Sequence, residues 1–289
     1  MHSPRTTIPE ATGTVRILLT NDDGITSEGL WAAARGLARV GHLTVIGTTE
    51  DWSGCGAAVR MPLGTRLLPY ADIPDDVGGE VEAYAVDAAP GAAILIGLMT
   101  ELFAPFDLVA SGANYGVNIG TDLVHSGTLG AAATGFQRGV NAFGISQDRG
   151  YPRGEPQAWD GVSDVAERLA RWFGARTGPP ILLNVNLPNR RFEEMAGVAI
   201  VRPVKWGNIG RVELTVEPEQ AGGWMIGVAI DRLVPMPNEP GTDSGAVLAG
   251  EIAISPVVPT GADIPASPDE LRDLSEALLA RTYTGRLTS

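Results

Sequence analysis

The sequence predicts an α/β protein with a Rossmann-like parallel sheet core, helices on both faces of the sheet, and a β-hairpin-rich carboxy-terminal appendage with a terminal helix. Three observations carry this prediction. In the first half of the chain, short apolar runs alternate with segments of helical period, which is typical of βαβ units. Beyond residue 197, Gly and Pro turns separate the apolar runs instead. Near its end the chain has an amphipathic segment with helix-capping signals.

The elements of the core follow one another in a regular order. Apolar runs predict strands at residues 15–20, 43–46, 82–86, 107–110, 142–146 and 181–185. Apolar residues at helical spacing predict helices near residues 30–37, 90–102, 128–138 and 159–173. A glycine-containing loop is expected at 48–56, and a long polar, glycine-rich loop at 111–127.

The carboxy-terminal part has a different pattern. We predict strands at residues 197–201, 211–216, 224–230 and 251–256, with no helix between them. A final helix begins at Ser267, where Pro268 and Glu270 complete a capping box, and another subunit is one candidate to cover its leucine face. These patterns divide the chain into a flexible tail (1–14), a Rossmann-like catalytic core (15–195) and an appendage with the final helix (196–289), the last expected to mediate oligomerisation.

Composition excludes several classes of protein. The chain has 289 residues, 44% of them hydrophobic, which argues against a disordered protein, and a formal net charge of −13, which disfavours a nucleic-acid polymer as partner. The single cysteine, Cys55, cannot build a disulfide framework or a thiolate zinc site, so any metal would be held mainly by oxygen. With neither an apolar signal segment in residues 1–14 nor about 18 consecutive apolar residues, we expect a cytoplasmic protein without a membrane span.

Polar residues follow three of the predicted strands. Asp22 and Asp23 follow the first strand, Ser53 the second, and Asn114 the strand that ends at Ala110. Ligands of open parallel sheets bind at these carboxyl ends. Adjacent carboxylates repel each other unless a cation compensates, and oxygen ligands of this kind suit Mg²⁺ or Mn²⁺. Such an ion polarises a phosphoryl group and lowers the pKa of bound water. An ordinary turn is the alternative interpretation of residues 21–24.

The segment 111–128 predicts an anion site. Its glycines allow backbone N–H groups to approach an anion, and Ser126 and Thr128 lie where a helix begins. A flexible glycine loop is the alternative interpretation.

These two segments resemble the motifs of a known family. Residues 15–24 resemble the amino-terminal signature of the SurE family, and residues 111–128 resemble its second motif, Ser-Gly-x-Asn-x-Gly-x-Asn-x-Gly followed by Ser-Gly-Thr. Two further stretches, 183–188 and 242–256, agree with it. The resemblance covers roughly residues 15–257.

The resemblance implies a 5′/3′-nucleotidase with broad phosphomonoesterase activity, one Mg²⁺ or Mn²⁺ per subunit, and a Rossmann-like core. It also implies subunits that exchange their carboxy-terminal parts, hence a homodimer or homotetramer. The implied metal ligands are Asp22, Asp23, Ser53 and Asn114. The residues that it places around the phosphate are Asn21, Asn118, Ser126, Gly127 and Thr128.

The sequence departs from the family at two places that concern the substrate. Trp52 stands where the family usually has Arg, and residues 88–92 (Ala-Ala-Pro-Gly-Ala) replace Gly-Thr-Pro-x-Asp. Trp52 and His125 are candidates for substrate contact: Trp52 as a lid or stacking residue, His125 as a proton donor to the leaving alcohol. Each has a structural alternative, since either side chain would also order its own loop. Cys55, with three histidines in the whole chain to activate it, is disfavoured as a nucleophile.

Three functions are compatible with these residues. In the first, an enzyme hydrolyses nucleoside monophosphates with Asp22, Asp23 and Asn114 as catalytic residues, Asp22 orienting or deprotonating the attacking water. In the second, the same site serves a specialised phosphorylated metabolite. The third is a nucleotide-binding module without turnover, although the first strand-turn lacks the Gly-x-Gly-x-x-Gly of dinucleotide-binding proteins.

Overall fold

The computed structural model of the chain describes residues 14–149, 156–207, 212–218, 222–230, 236–258 and 267–279. The strands are β1 (Val15–Thr20), β2 (Gly41–Thr48), β3 (Leu67–Pro69), β4 (Val81–Val86), β5 (Leu108–Tyr115), β6 (Asn141–Gln147), β7 (Leu182–Leu187), β8 (Gly197–Ile200), β9 (Val212–Pro218), β10 (Trp224–Ile230) and β11 (Glu251–Pro256). The α-helices are α1 (Glu28–Leu37), α2 (Pro90–Met99), α3 (Gly127–Gln137), α4 (Trp159–Ala175), α5 (Asp243–Leu248) and α6 (Pro268–Leu279). Two 3₁₀ helices span Gly120–Val124 and Phe192–Glu194.

Nine strands form a central, mostly parallel sheet in the order β3-β4-β2-β1-β5-β6-β7-β11-β8. Only β3 against β4 and β11 against β7 run antiparallel within this sheet as described. Strands β9 and β10 form a separate antiparallel hairpin. The predicted α/β class, with its hairpin and terminal helix, is confirmed.

Helices cover both faces of the sheet. Side chains of α1, α4 and α6 pack into one apolar core, and those of α2 and α3 pack into another on the opposite face. Strand β1 serves both cores, because Ile17 and Leu19 point into the first and Leu18 into the second. This burial on both sides explains why three consecutive residues of the strand, Ile17, Leu18 and Leu19, are apolar instead of alternating with polar ones.

Several predicted boundaries were wrong. Strand β5 continues to Tyr115, where a loop from residue 111 was expected, and Gly120–Val124 is a 3₁₀ helix within that loop. Helix α2 ends at Met99 instead of residue 102, and β3 was not predicted. Residues 1–13 of the predicted tail lie outside the described residues.

The carboxy-terminal part also differs from expectation. Strands β8 and β11 belong to the central sheet, so the separate hairpin consists of β9 and β10 alone. Helix α5 lies between two of the predicted strands, where no helix was expected. Its six residues are too few for a helical period to be recognised in the sequence.

The extension of β5 depends on an irregularity. The register between β5 and β6 shifts between Ser111 and Asn114, and the Gly112–Ala113 peptide bond is cis. Gly112 has a φ of 120°, and a Cβ there would lie 2.2 Å from the Ile145 carbonyl oxygen. Glycine is therefore required at this bulge, beyond which Asn114 and Tyr115 stand at the carboxyl edge of the sheet.

Helix α6 has the predicted capping box. The Ser267 N–H donates to Glu270 Oε2 at 2.9 Å, and the Glu270 N–H donates to Ser267 Oγ at 3.2 Å. Its buried side chains Leu271, Leu274 and Leu278 join the core formed with α1 and α4. In the described chain, this apolar face is covered by the chain's own core. Among the described residues, no helix is long and apolar enough to cross a membrane.

Replacing Leu274 by Ala should reduce the free energy of unfolding by about 2–5 kcal/mol, because the fully buried side chain would leave a cavity between α6 and the core. The exposed neighbour Asp273 provides a control on the same helix, and Asp273→Ala should change it by less than about 0.5 kcal/mol. Denaturant unfolding measures both. Equal effects of the two substitutions would contradict the packing of α6 on the core.

Candidate functional site

The turn after β1 is built around Asn21. This fully buried residue donates from Nδ2 to the Gly24 carbonyl oxygen at 2.8 Å, and Gly24 has a φ of 93°. Residues 21–24 are thus a turn, and the turn directs two carboxylates to different sides. Asn21, expected near the phosphate, closes this turn with its Nδ2.

Asp22 is buried and faces the start of α3. Its Oδ1 accepts a hydrogen bond of 2.6 Å from the Thr128 hydroxyl. Its carbonyl oxygen accepts a hydrogen bond of 2.7 Å from the Trp52 N–H in the loop after β2. One residue of the turn therefore joins the loop after β2 and the amino terminus of α3.

Asp23 faces the end of β5. Its Oδ2 accepts a hydrogen bond of 3.2 Å from the Tyr115 N–H, and Tyr115 follows Asn114 directly. The two acids thus contact the other two segments that the sequence analysis singled out. Three loops meet around the Asp22–Asp23 pair, as predicted from the positions of the strand ends.

Both acids have raised pKa values. Loss of solvent raises the pKa of Asp22, with a smaller contribution from the charge of Asp51, whereas hydrogen bonds from Thr128 lower it. Loss of solvent and then the charge of Asp22 raise the pKa of Asp23 to about 7, although the Tyr115 N–H and the Arg149 charge act in the opposite direction. A pair of carboxylates in this environment has the electrostatic character of a cation site.

Of the two neutral residues expected as ligands, Ser53 lies in the loop after β2 and Asn114 lies near the end of β5. Ser53 is exposed, and its N–H donates to Asp51 Oδ1 at 2.7 Å. Asn114 is half-buried, and its Nδ2 donates to the Gly116 carbonyl oxygen. Trp52, which precedes Ser53, donates its N–H to the Asp22 carbonyl oxygen, and Tyr115, which follows Asn114, donates its N–H to Asp23 Oδ2. Each expected neutral ligand is therefore adjacent in the chain to a residue bonded to the acid pair.

The chemistry of these donors fits a hard cation. Among the described residues, no group of three or more His, Cys, Asp or Glu side chains is placed to hold a metal ion. A cation at this position therefore relies on two carboxylates supplemented by hydroxyl and amide oxygens. Oxygen donors of this kind suit Mg²⁺ or Mn²⁺ and do not suit a soft metal.

The start of α3 closes the other side of the site. Ser126 is the N-cap, and its Oγ accepts from the Leu129 N–H at 3.0 Å. A Cβ at Gly127 would lie 2.7 Å from Asp22 Oδ2 and 2.8 Å from Cys55 Sγ, so only glycine lets the helix approach the acid this closely. A helix amino terminus, which favours anions, thus lies directly against Asp22.

Asn118, expected around the phosphate, lies in a buried polar network. Its N–H donates to Asn186 Oδ1 at 2.8 Å and its Nδ2 to Ser146 Oγ at 2.9 Å. Its carbonyl oxygen accepts from the Nδ2 atoms of Asn184 and Asn186, at 2.9 and 2.8 Å. The network explains why the buried strand β7 contains the polar residues Asn184 and Asn186.

A second support for this loop comes from Asp243, a residue whose role the sequence analysis did not recognise. This fully buried carboxylate accepts hydrogen bonds from the N–H groups of Gly120 and Val204 at 2.9 Å and of Ser244 at 2.8 Å. Burial raises the pKa of Asp243, and these three hydrogen bonds lower it. The carboxylate anchors the 3₁₀ helix that leads to α3. In the sequence, Asp243 was marked by its place in the 242–256 stretch that agrees with the family and by its position after the N-cap Thr242.

The remaining candidates have different environments. Trp52 is half-buried, and its carbonyl oxygen accepts from the Cys55 N–H at 3.0 Å. His125 is exposed, and its carbonyl oxygen accepts from the Gly56 N–H at 2.9 Å. Burial and then the charge of Asp22 raise the pKa of the Cys55 thiol, which suits a packing residue rather than a nucleophile.

The second departure from the family, residues 88–92, is a packing region at the start of α2. Ala88, Ala89 and Ala92 are fully buried. A Cβ at Gly91 would lie 2.6 Å from the Ala58 carbonyl oxygen, so α2 packs closely against the loop that follows Cys55. This departure from the family therefore lies in the packing between α2 and the loop after β2.

Comparison with known proteins agrees with this arrangement. The family model described as survival protein SurE matches residues 17–208. The 5′-nucleotidase SurE of Picosynechococcus sp. is 32% identical over 257 residues, covering 84% of this chain and 91% of the relative. The 5′-nucleotidase SurE 1 of Thermus thermophilus is 34% identical over 247 residues, with the same coverage of both chains.

A solved structure agrees as well. The crystal structure of the SurE protein from Aquifex aeolicus matches with a TM-score of 0.66 and 28% sequence identity, covering 84% of this chain and 92% of that one. Motifs, site geometry and these matches lead to one conclusion: the chain belongs to the SurE family.

Proposed function

We propose that this protein is a divalent-metal-dependent phosphomonoesterase that hydrolyses nucleoside 5′- and 3′-monophosphates to nucleoside and phosphate. The observation that carries the proposal is the hydrogen bond between Thr128, in the first turn of α3, and Asp22. It places a helix terminus suited to an anion against a carboxylate pair suited to a cation. The relatives named 5′-nucleotidase support a phosphate ester as the ligand.

The proposed cofactor is one Mg²⁺ or Mn²⁺ per subunit, held by Asp22, Asp23, Ser53 and Asn114. When bound, such an ion polarises the phosphoryl group and offsets the charge of the two acids. The raised pKa values of Asp22 and Asp23 are consistent with this assignment, because loss of solvent around each carboxylate disfavours its negative charge and a cation would offset that cost.

Residues of the chain have separate proposed roles in binding the ester and in activating the water. Asp22 is the proposed residue that orients or deprotonates the attacking water, and Thr128 holds its carboxylate in one orientation. Ser126 and Gly127, at the start of α3, are the proposed contacts of the phosphate. Asn118 is a further proposed contact of the phosphate, and the bond from its Nδ2 to Ser146 Oγ would fix its orientation.

We also propose that the carboxy-terminal part forms a homodimer or homotetramer through the β9–β10 hairpin. Pairing of Trp224 with Pro218 and of Ile226 with Val216 places apolar residues on one face of the hairpin. Leu214, Val216, Trp224 and Ile226 are all more than half exposed in the described chain. An isolated two-stranded hairpin is marginally stable in water, so a partner that covers this face would stabilise it.

Replacing Asp22 or Asp23 by Asn should lower kcat/KM for AMP and for p-nitrophenyl phosphate by at least about 100-fold, because each removes a negative charge that the cation needs. Calorimetry with Mn²⁺ should show one site per chain in the wild type and weaker binding in each variant. Asp87, exposed after β4 at the same edge of the sheet, gives the control Asp87→Asn, which should retain full activity. Undiminished hydrolysis by Asp22→Asn, or by wild type with excess chelator, would refute the proposal.

Replacing Thr128 by Val should lower kcat by about 10- to 100-fold, since Asp22 would lose the hydroxyl that orients it. Thr128→Ser keeps the hydroxyl and should recover most of the activity. Steady-state kinetics and Mn²⁺ titration of the two variants provide the measurement. If Val and Ser at this position behave alike, the hydrogen bond has no positioning role.

The double substitution Trp224→Ser/Ile226→Ser should convert the oligomer to a smaller species, as measured by light scattering coupled to size exclusion. Leu102→Ser, which changes a side chain that is 69% exposed on another part of the surface, should leave the oligomer intact. A wild-type chain that is monomeric at micromolar concentration would falsify the hairpin interface.

A further inference from the structure

We propose that Tyr115 and Trp159, braced by Arg149, form an aromatic ledge that receives the organic half of the phosphate ester and selects esters that carry an aromatic heterocycle. The proposal rests on the proposed function, since it assigns the substrate specificity of the same site. The three side chains come from the end of β5, the start of α4 and the segment after β6.

Tyr115 lies at the border of the site. Its N–H donates to Asp23 Oδ2 at 3.2 Å, and it follows the proposed ligand Asn114. The residue is 45% exposed, which is high for a tyrosine so close to buried carboxylates. Its ring is thus presented to solvent immediately next to the proposed catalytic residues.

Arg149 holds Tyr115 from one side. Its Nε donates to the Tyr115 carbonyl oxygen at 2.9 Å, and its guanidinium carbon lies 4.8 Å from the centre of the tyrosine ring. This is the geometry of a cation–π contact. Because the Tyr115 N–H is bonded to Asp23, Arg149 holds the ring directly beside the acid pair.

Trp159 completes the ledge from α4. Its ring centre lies 6.4 Å from that of Tyr115, with 52° between the planes. Its Nε1 donates to Glu28 Oε2 at 3.0 Å, and a Cβ at Gly29 would lie 3.1 Å from its ring. The tryptophan is therefore fixed against the start of α1, the helix that follows the Asp22–Asp23 turn.

The two acids point toward opposite halves of the site. Asp22 is bonded to α3, where the phosphate is expected, and Asp23 is bonded to the residue that carries the ledge. An ester held by its phosphate at α3 would extend its alcohol across the acid pair toward Tyr115. Aromatic rings with an adjacent arginine stack on any nucleobase, which favours purine and pyrimidine nucleotides broadly over sugar phosphates.

The test compares AMP with ribose 5-phosphate, which has the same ester linkage and lacks the base. In Tyr115→Ala, the ratio of kcat/KM for AMP to that for ribose 5-phosphate should fall about 10- to 100-fold, the range expected for loss of a base-stacking contact. Tyr115→Phe should keep the wild-type ratio, because the ring remains. Arg149→Gln should lower the ratio by a smaller factor, while Arg66→Gln, a change at an exposed arginine before β3, should not alter it.

Calorimetry with adenosine provides a readout that does not depend on turnover, and Tyr115→Ala should weaken adenosine binding by a similar factor. An unchanged ratio, or an equal loss on both substrates, would overturn the proposal and leave the three residues as packing for the start of α4. If the wild type hydrolyses neither ester, the proposed function fails. In that case adenosine binding by itself tests the aromatic ledge. Equal binding by the wild type and by Tyr115→Ala, or no binding by either, would overturn the ledge proposal.

Discussion

The hydrogen bond from the Thr128 hydroxyl to the Asp22 carboxylate connects the two motifs of the sequence, which lie more than 100 residues apart. Because Asp22 is buried, its carboxylate is costly unless hydrogen bonds and a cation compensate for the lost water. The same residue also holds the loop after β2 through its carbonyl oxygen. The arrangement of the whole site therefore depends on the hydrogen bonds that Asp22 accepts through its carboxylate and its carbonyl oxygen.

Glycines allow the helices to approach closely enough for the contact between Thr128 and Asp22. Gly127 lets α3 approach Asp22, and Gly29 lets α1 approach Ala113, where a Cβ would lie 2.1 Å from the carbonyl oxygen. Buried polar groups then hold the segment between β5 and α3 in place. Asn118 is bonded to residues of β6 and β7, and Asp243 is bonded to Gly120. Such a loop is positioned by the sheet beneath it rather than by its own sequence.

Periodicity and strand-end chemistry were sufficient to predict the class of fold, the first strand and helix, and the meeting of three loops around Asp22 and Asp23. These features are local, because an apolar run or a helical spacing needs no knowledge of distant residues. The assignment of β8 and β11 to an appendage was wrong, because the partner of a strand is a long-range property. A run such as Glu251–Pro256 has the same composition whether it pairs with β7 or stands in a hairpin.

By itself the sequence determined which chemical groups are present: two adjacent carboxylates, a hydroxyl, an amide and a glycine-rich helix start. Tertiary structure alone decided what each of them faces. Asn21 closes a turn and Asn118 joins an interior network, and neither contact can be recognised from the motifs in which they stand. Asp243 and Tyr115 gain their importance only from residues far away in the chain. The physical reason is that a hydrogen-bonding group takes its role from its partner, and partners are brought together by the packing of helices and strands.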